Sequence, residues 1–127
     1  MTFEAYSKHQ KHCKFGLTFG EGMDFYFIKS ILQGGVGFAV NNDTFFTDDI
    51  RAFPTVFDAY EELSTSIASM MKDLNAPEPY NALVKATRSI LGKYYNNACY
   101  KKRVEHVHAN WINGSGCIAT KEILGEI

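Results

Sequence analysis

The chain has 127 residues, 46% of them hydrophobic and 21% charged, which excludes a disordered segment and suits a single domain over 1–127. A core of that size can form without a metal or a disulfide to staple it. The net charge of −1 excludes the strong overall field of a generic nucleic-acid or membrane-surface binder.

Phe3 to Lys14 reads as a helix, with Thr2 as its cap and Gly16 beyond its end. Phe3, Tyr6 and Cys13 share one side of it, and Lys8, Lys11 and His12 point elsewhere. His9 and Cys13 lie on adjacent turns, so both could reach one metal ion. His12 is roughly 100° away from Cys13 around the helix, and the spacing matches no standard zinc pattern. No metal site and no cofactor are therefore expected.

Residues 16–22, with three glycines, predict a loop. "MDFYFIKSIL" fits two structures. Its aromatics favour a strand, while Phe25, Ile28 and Leu32 also suit a helix stopping at Gly34–Gly35. The strand is preferred. In "VGFAV", Val36, Phe38 and Val40 alternate with Gly37 and Ala39, the period of a strand. The small Gly37/Ala39 face invites close approach by another backbone or a helix. "GGVGF" has neither the Lys-Ser/Thr of a phosphate loop nor the spacing of a dinucleotide loop, so its glycines read as hairpin glycines. "NND" is expected to turn the chain into a further strand, "TFFT".

From Phe53 onward the pattern is helical. Thr55 and Asp58 read as a capping box behind Pro54, and Val56, Tyr60, Leu63, Ile67, Met70 and Leu74 form one apolar stripe. "NAPEP" breaks that helix. A second helix runs from Tyr80 towards Asn96–Asn97. A third carries Tyr100, Val104, Val107 and Trp111, with Val104, Val107 and Trp111 expected in the core. "ATKEILGEI" fits a short last helix. The fold expected is α+β: an N-terminal helix and a small antiparallel sheet packed against a C-terminal half of three to four helices.

Three cysteines, Cys13, Cys99 and Cys117, with no C-x-x-C, read as reduced thiols in a cytoplasmic setting. No apolar leader and no membrane span are expected, since the longest apolar stretch, "FYFIKSIL", is short and contains Lys29. A catalytic Cys117 after "NGSG", with His106 or His108 as base, has the residue types but no supporting pattern.

Charge is segregated along the chain. Residues 41–80 carry eight acids against two bases, and residues 81–127 carry seven bases against three acids. The helix macrodipole accounts for Asp58, Glu61 and Glu62 near a helix start, but not for Asp48 and Asp49 on a predicted loop. Asp48, Asp49, Phe57, Asp58, Tyr60, Glu61 and Glu62 are therefore the candidate partner-binding residues. They point to a non-enzymatic interaction protein, such as a phage or mobile-element inhibitor, masking a basic surface on a larger host protein. The chain itself would be a monomer or a homodimer. The alternatives are direct nucleic-acid binding through Arg88, Lys93, Lys101, Lys102 and Arg103, and a small thiol- or zinc-dependent enzyme.

Overall fold

The computed structural model of the protein describes residues 1–19 and 25–112. The elements run α1 (Phe3–Gln10), β1 (Phe15–Thr18), α2 (Phe25–Leu32), β2 (Val36–Val40), α3 (Asp48–Arg51), β3 (Val56–Phe57), α4 (Tyr60–Asp73), α5 (Pro77–Tyr94) and α6 (Asn97–Ile112). The chain divides into two compact units, Met1–Leu91 and Gly92–Ile127.

In the first unit the three strands form one sheet in the order β1-β2-β3. Both pairings are parallel, with Phe15 opposite Val36 and Ala39 opposite Val56. The expected antiparallel sheet is thus corrected, while the α+β composition stands. An antiparallel pair needs only a tight turn, whereas parallel neighbours need a crossover. The chain supplies two crossovers, α2 between β1 and β2, and the α3 segment between β2 and β3.

Residues 25–32, expected as strand, are helix because Phe27 and Ile31, one turn apart, are both fully buried on one side of α2. The helix closes in a Schellman arrangement. Gly35 N–H donates to the Ser30 carbonyl at 2.8 Å, Gly34 N–H to the Ile31 carbonyl at 3.0 Å, and Gly34 takes φ +91°. Gly34 and Gly35 therefore end a helix rather than turn a hairpin. Residues 16–18 of the predicted loop belong to β1, Phe19 follows the strand, and 20–22 fall outside the described residues.

"NND" makes no hairpin either. The Asn42 side chain accepts from Thr44 N–H at 3.0 Å, an Asx turn that carries Phe46 into the interior. "TFFT" is consequently turn, not strand. The predicted capping box fails for a related reason. Thr55 is buried and Val56–Phe57 pair with β2, so α4 starts at Tyr60. The cap expected at Thr2 is present, with Ala5 N–H donating to its hydroxyl at 3.2 Å.

Every residue of β2 is buried, as befits a central strand covered on both faces. Val36, Phe38 and Val40 join Leu63 and Leu74 in a core, with Phe15, Ile67, Met70, Tyr80 and Val84 packed around it. The opposite face is the small one. A Cβ on Gly37 would lie 2.8 Å from Phe27 Cδ2 and 3.1 Å from Ile31 Cδ1, so α2 packs there at close range. Phe27 continues the layer outward by stacking on Phe46 at 5.5 Å.

Two long-range polar ties lock this arrangement. Lys14 Nζ donates to the Leu74 carbonyl at the end of α4 at 2.7 Å and lies 4.6 Å from the Tyr80 ring centre. The Tyr80 hydroxyl donates to the Gly34 carbonyl at 2.9 Å. Burial raises the Tyr80 phenol above its ordinary 10.0, so folding favours the protonated form. That contribution is fully present below pH 10 or so and is lost as pH rises through the raised folded value. Tyr80→Phe is expected to cost about 1 kcal/mol at neutral pH and to flatten the alkaline fall in stability. Urea unfolding across pH 7–11 checks both.

In the second unit, α6 forms as expected, but Val104 and Val107 are 48% and 39% exposed rather than core. The Trp111 side chain and the predicted helix in "ATKEILGEI" lie outside the described residues. Among the described residues no helix is long and apolar enough to cross a membrane.

Candidate functional site

Because the strands are parallel, all three carboxyl ends open on one edge of the sheet. In open parallel sheets that edge is the usual binding edge. β1 ends beside Phe19, β2 beside Asn41, and β3 beside Asp58. The acidic residues singled out by sequence collect there.

Asn41 is the hub. Its Nδ2 donates to Asp43 Oδ1 at 2.9 Å and reaches Asp58 Oδ1 at 3.5 Å, so the loop after β2 and the end of β3 share one polar centre. Asp43 also accepts from Arg51 Nη1 at 2.9 Å, and Arg51 Nη2 pairs with Asp48. The hydrogen bond from Asn41, then those features of Arg51, hold the Asp43 carboxyl below its usual value. Hydrogen bonds to Asp48 and Asp43 raise the Arg51 guanidinium correspondingly. These groups are open to solvent, where such pairs add little to stability. Their role is to set charge and shape.

Asp49 is half-buried and accepts from the Thr47 hydroxyl at 2.5 Å, so it is less available than its neighbour Asp48. Glu62 turns back over the start of α4, accepting from Asp58 N–H at 3.3 Å, and Glu61 is exposed beside it. The fixed positive end of α4 stabilises both carboxylates. Tyr60 is half-exposed, stacks on Phe19 at 6.3 Å, and donates its hydroxyl to the Phe19 carbonyl at 2.5 Å. The result is an exposed, stacked aromatic ledge beside the acids. Phe57 is half-buried and packs against the core, so little of it is open to a partner.

Sequence reasoning missed Phe19 and Asn41. Both sit at strand ends, and their placement follows from the parallel topology that the pattern did not predict.

The basic candidates are distributed differently. Arg88 lies on α5 in the first unit, and Lys93, Lys101, Lys102 and Arg103 lie in the second. Lys101 and Lys102 are exposed, with Lys101 Nζ 4.0 Å from Glu105, while Arg103 is half-buried. Burial raises the nearby Tyr95 phenol, and the Arg103 charge opposes that shift.

His9 and Cys13 line a common cavity, and the Cys13 thiol donates to the His9 carbonyl at 3.4 Å. Among the described residues no group of three or more His, Cys, Asp or Glu side chains could hold a metal ion. Cys117 lies outside the described residues, so its pairing with His106 or His108 has no geometry here.

No known protein family matches the chain, and no curated protein or solved structure is significantly similar to it.

Proposed function

We propose that the protein is an interaction module that docks the acidic, aromatic edge of its sheet onto a basic surface of a larger partner. The observation that carries this is the convergence at the strand ends of Asp43, Asp48, Asp58, Glu61 and Glu62 beside the Phe19–Tyr60 stack. Clustered carboxylates steer encounter with a basic surface, and a stacked aromatic pair holds the complex once formed. A phage or mobile-element inhibitor is one setting for such a module, and its motivation is compositional.

Affinity capture with wild-type protein and with the Asp48→Lys/Asp58→Lys variant tests the proposal. The wild type should retain a partner that the variant loses. Against that partner the variant should associate about tenfold more slowly or worse at low salt, with the difference shrinking as salt rises. Tyr60→Ala should instead speed dissociation. Retention of the same proteins by both forms would remove the acidic edge from consideration. A gel shift with duplex DNA and single-stranded RNA separates the nucleic-acid alternative. If the wild type shifts either at physiological salt and Lys101→Ala/Lys102→Ala does not, the basic α6 surface is the working one.

A further inference from the structure

With the strand order β1-β2-β3, β1 is an edge of the sheet. The register fixes which of its groups point inward. Val36 N–H donates to the Lys14 carbonyl at 2.9 Å, with Phe15 opposite Val36 and Leu17 opposite Phe38. A parallel ladder bonds alternate residues on each side of a strand. Gly16 therefore bonds towards β2, and Phe15 and Leu17 turn their N–H and C=O groups outward. Among the described residues, no backbone group of Phe15 or Leu17 is bonded on that outer side.

A free edge is a template for another strand, and proteins usually blunt it with charge, proline or a cover. "FGLT" has neither charge nor proline, and Leu17 is 39% exposed. Lys14, the nearest lysine, is tied to the Leu74 carbonyl at 2.7 Å.

A cavity of about 260 Å³ runs along this edge, between β1, α1 and α2, and Phe15, Gly16 and Leu17 all line it. Consecutive side chains of a strand point to opposite faces, so a cavity that meets all three residues lies along the strand's edge. Tyr6 and Tyr26 add aromatic wall, their rings packed edge to face at 5.9 Å. A Cβ on Gly16 would lie 2.2 Å from Ser30 Oγ, so Gly16 faces α2. A residue paired beside Gly16 sends its side chain to the same face, where the cavity is. An apolar cavity of roughly 150 Å³ already accepts benzene, so one large apolar side chain fits here. The charge alongside is positive: α1 and the turn after it expose Lys8, His9, Lys11 and His12, against Glu4 alone.

We propose that β1 takes up an extended peptide of a partner protein as a fourth strand, with a large apolar side chain in the cavity and acidic residues two positions to either side. Residues two apart share a face, so the acids fall on the side of the α1 lysines. Main-chain bonds to Phe15 and Leu17 hold the peptide, and the cavity selects its central side chain. The partner is opposite in charge to the one that suits the acidic strand-end edge, and the two surfaces work independently.

Capped peptides Glu-Val-Phe-Val-Glu and Lys-Val-Phe-Val-Lys, observed by calorimetry and NMR, test this, and their palindromic sequences serve either strand direction. The acidic peptide should bind. The basic one should bind about tenfold more weakly or worse at low salt, with the gap closing as salt rises. N-methylation should weaken binding at the valine amides if the added strand is antiparallel, and at the phenylalanine amide if it is parallel. The Leu17 amide should gain hydrogen-exchange protection in the complex. Leu17→Pro removes that outward donor and no bond to β2, so it should abolish binding while melting near the wild-type temperature. Should it fail to fold, Lys8→Glu/Lys11→Glu, at exposed positions, should reverse the preference between the two peptides. Absence of binding by the acidic peptide at millimolar concentration overturns the proposal. So does binding that N-methylation at neither set of amides weakens. A concentration-dependent dimer with the Leu17 amide already protected overturns it too, because a second copy then holds the edge.

Discussion

Phe27→Ala is expected to cost about 3–5 kcal/mol, a large share of the roughly 5–15 kcal/mol that holds a domain folded. Phe27 is fully buried and stacks on Phe46 at 5.5 Å and near Phe53 at 6.5 Å. On its inner side it meets the bare backbone of Gly37. Truncation opens a cavity that β2 cannot fill, because Gly37 has no side chain to move into it. Sites that cannot collapse give the upper part of the range. Urea unfolding measures the loss directly. A loss of about 1 kcal/mol or less would mean that α2 does not pack on β2 in this way. The same variant should leave the acidic edge chemically unchanged, so any loss of partner binding should track the unfolded fraction.

Much of the helical half was legible because its signal is periodic and long. Leu63, Ile67, Met70 and Leu74 recur at helical steps, and all four join the core they were expected to form. β2 was legible for the same reason at period two. The sheet's direction was not. Parallel and antiparallel strands share the same alternation, and only the crossover tells them apart. That crossover is α2, whose eight residues, six of them apolar, are too few to separate helix from strand by pattern. Reading α2 as strand, and "TFFT" as the strand after β2 in place of Val56–Phe57, together reversed the topology. The start of α4 was misplaced because Thr55 and Asp58 satisfy a capping pattern locally, while pairing of Val56–Phe57 with β2 claims those residues first.

The candidate sites show the same division. The acidic run was visible in composition, but its convergence was not, since Asp43 and Asp58 meet only through Asn41 on a neighbouring strand end. On α1 and in the turn after it the histidines and the cysteine draw attention because their chemistry is versatile. The residue that the fold buries is Gln10 between them, and nothing in a helical pattern of lysines and histidines marks one glutamine as inward-facing. Phe3, which shares a side with Tyr6 and Cys13 on the helical wheel, is 75% exposed. Burial on a two-turn helix depends on where α2 lies, and α2 was the element read in the other sense.

The Gly37 series should show the opposite failure from Phe27→Ala, overpacking in place of a cavity. A Cβ at Gly37 would lie 2.8 Å from Phe27 Cδ2 and 3.1 Å from both Ile31 Cδ1 and Phe27 Cε2. Real Cβ atoms do not approach that closely, so α2 or the Phe27 ring must shift. Gly37→Ala is expected to cost about 1–3 kcal/mol, and Gly37→Leu enough to leave the domain largely unfolded at 37 °C. Glycine's greater backbone freedom works against this sign, because alanine lowers the entropy of the unfolded chain by an amount worth about 0.4–1 kcal/mol. A net loss therefore isolates the steric term. The double variant Gly37→Ala/Phe27→Leu is the sharper measurement. The smaller leucine removes the ring atoms that the new methyl strikes, so the two losses should be less than additive by at least about 0.5 kcal/mol. Strict additivity would place Gly37 and Phe27 out of contact. The close seating of α2 on the small face of β2 would then be wrong.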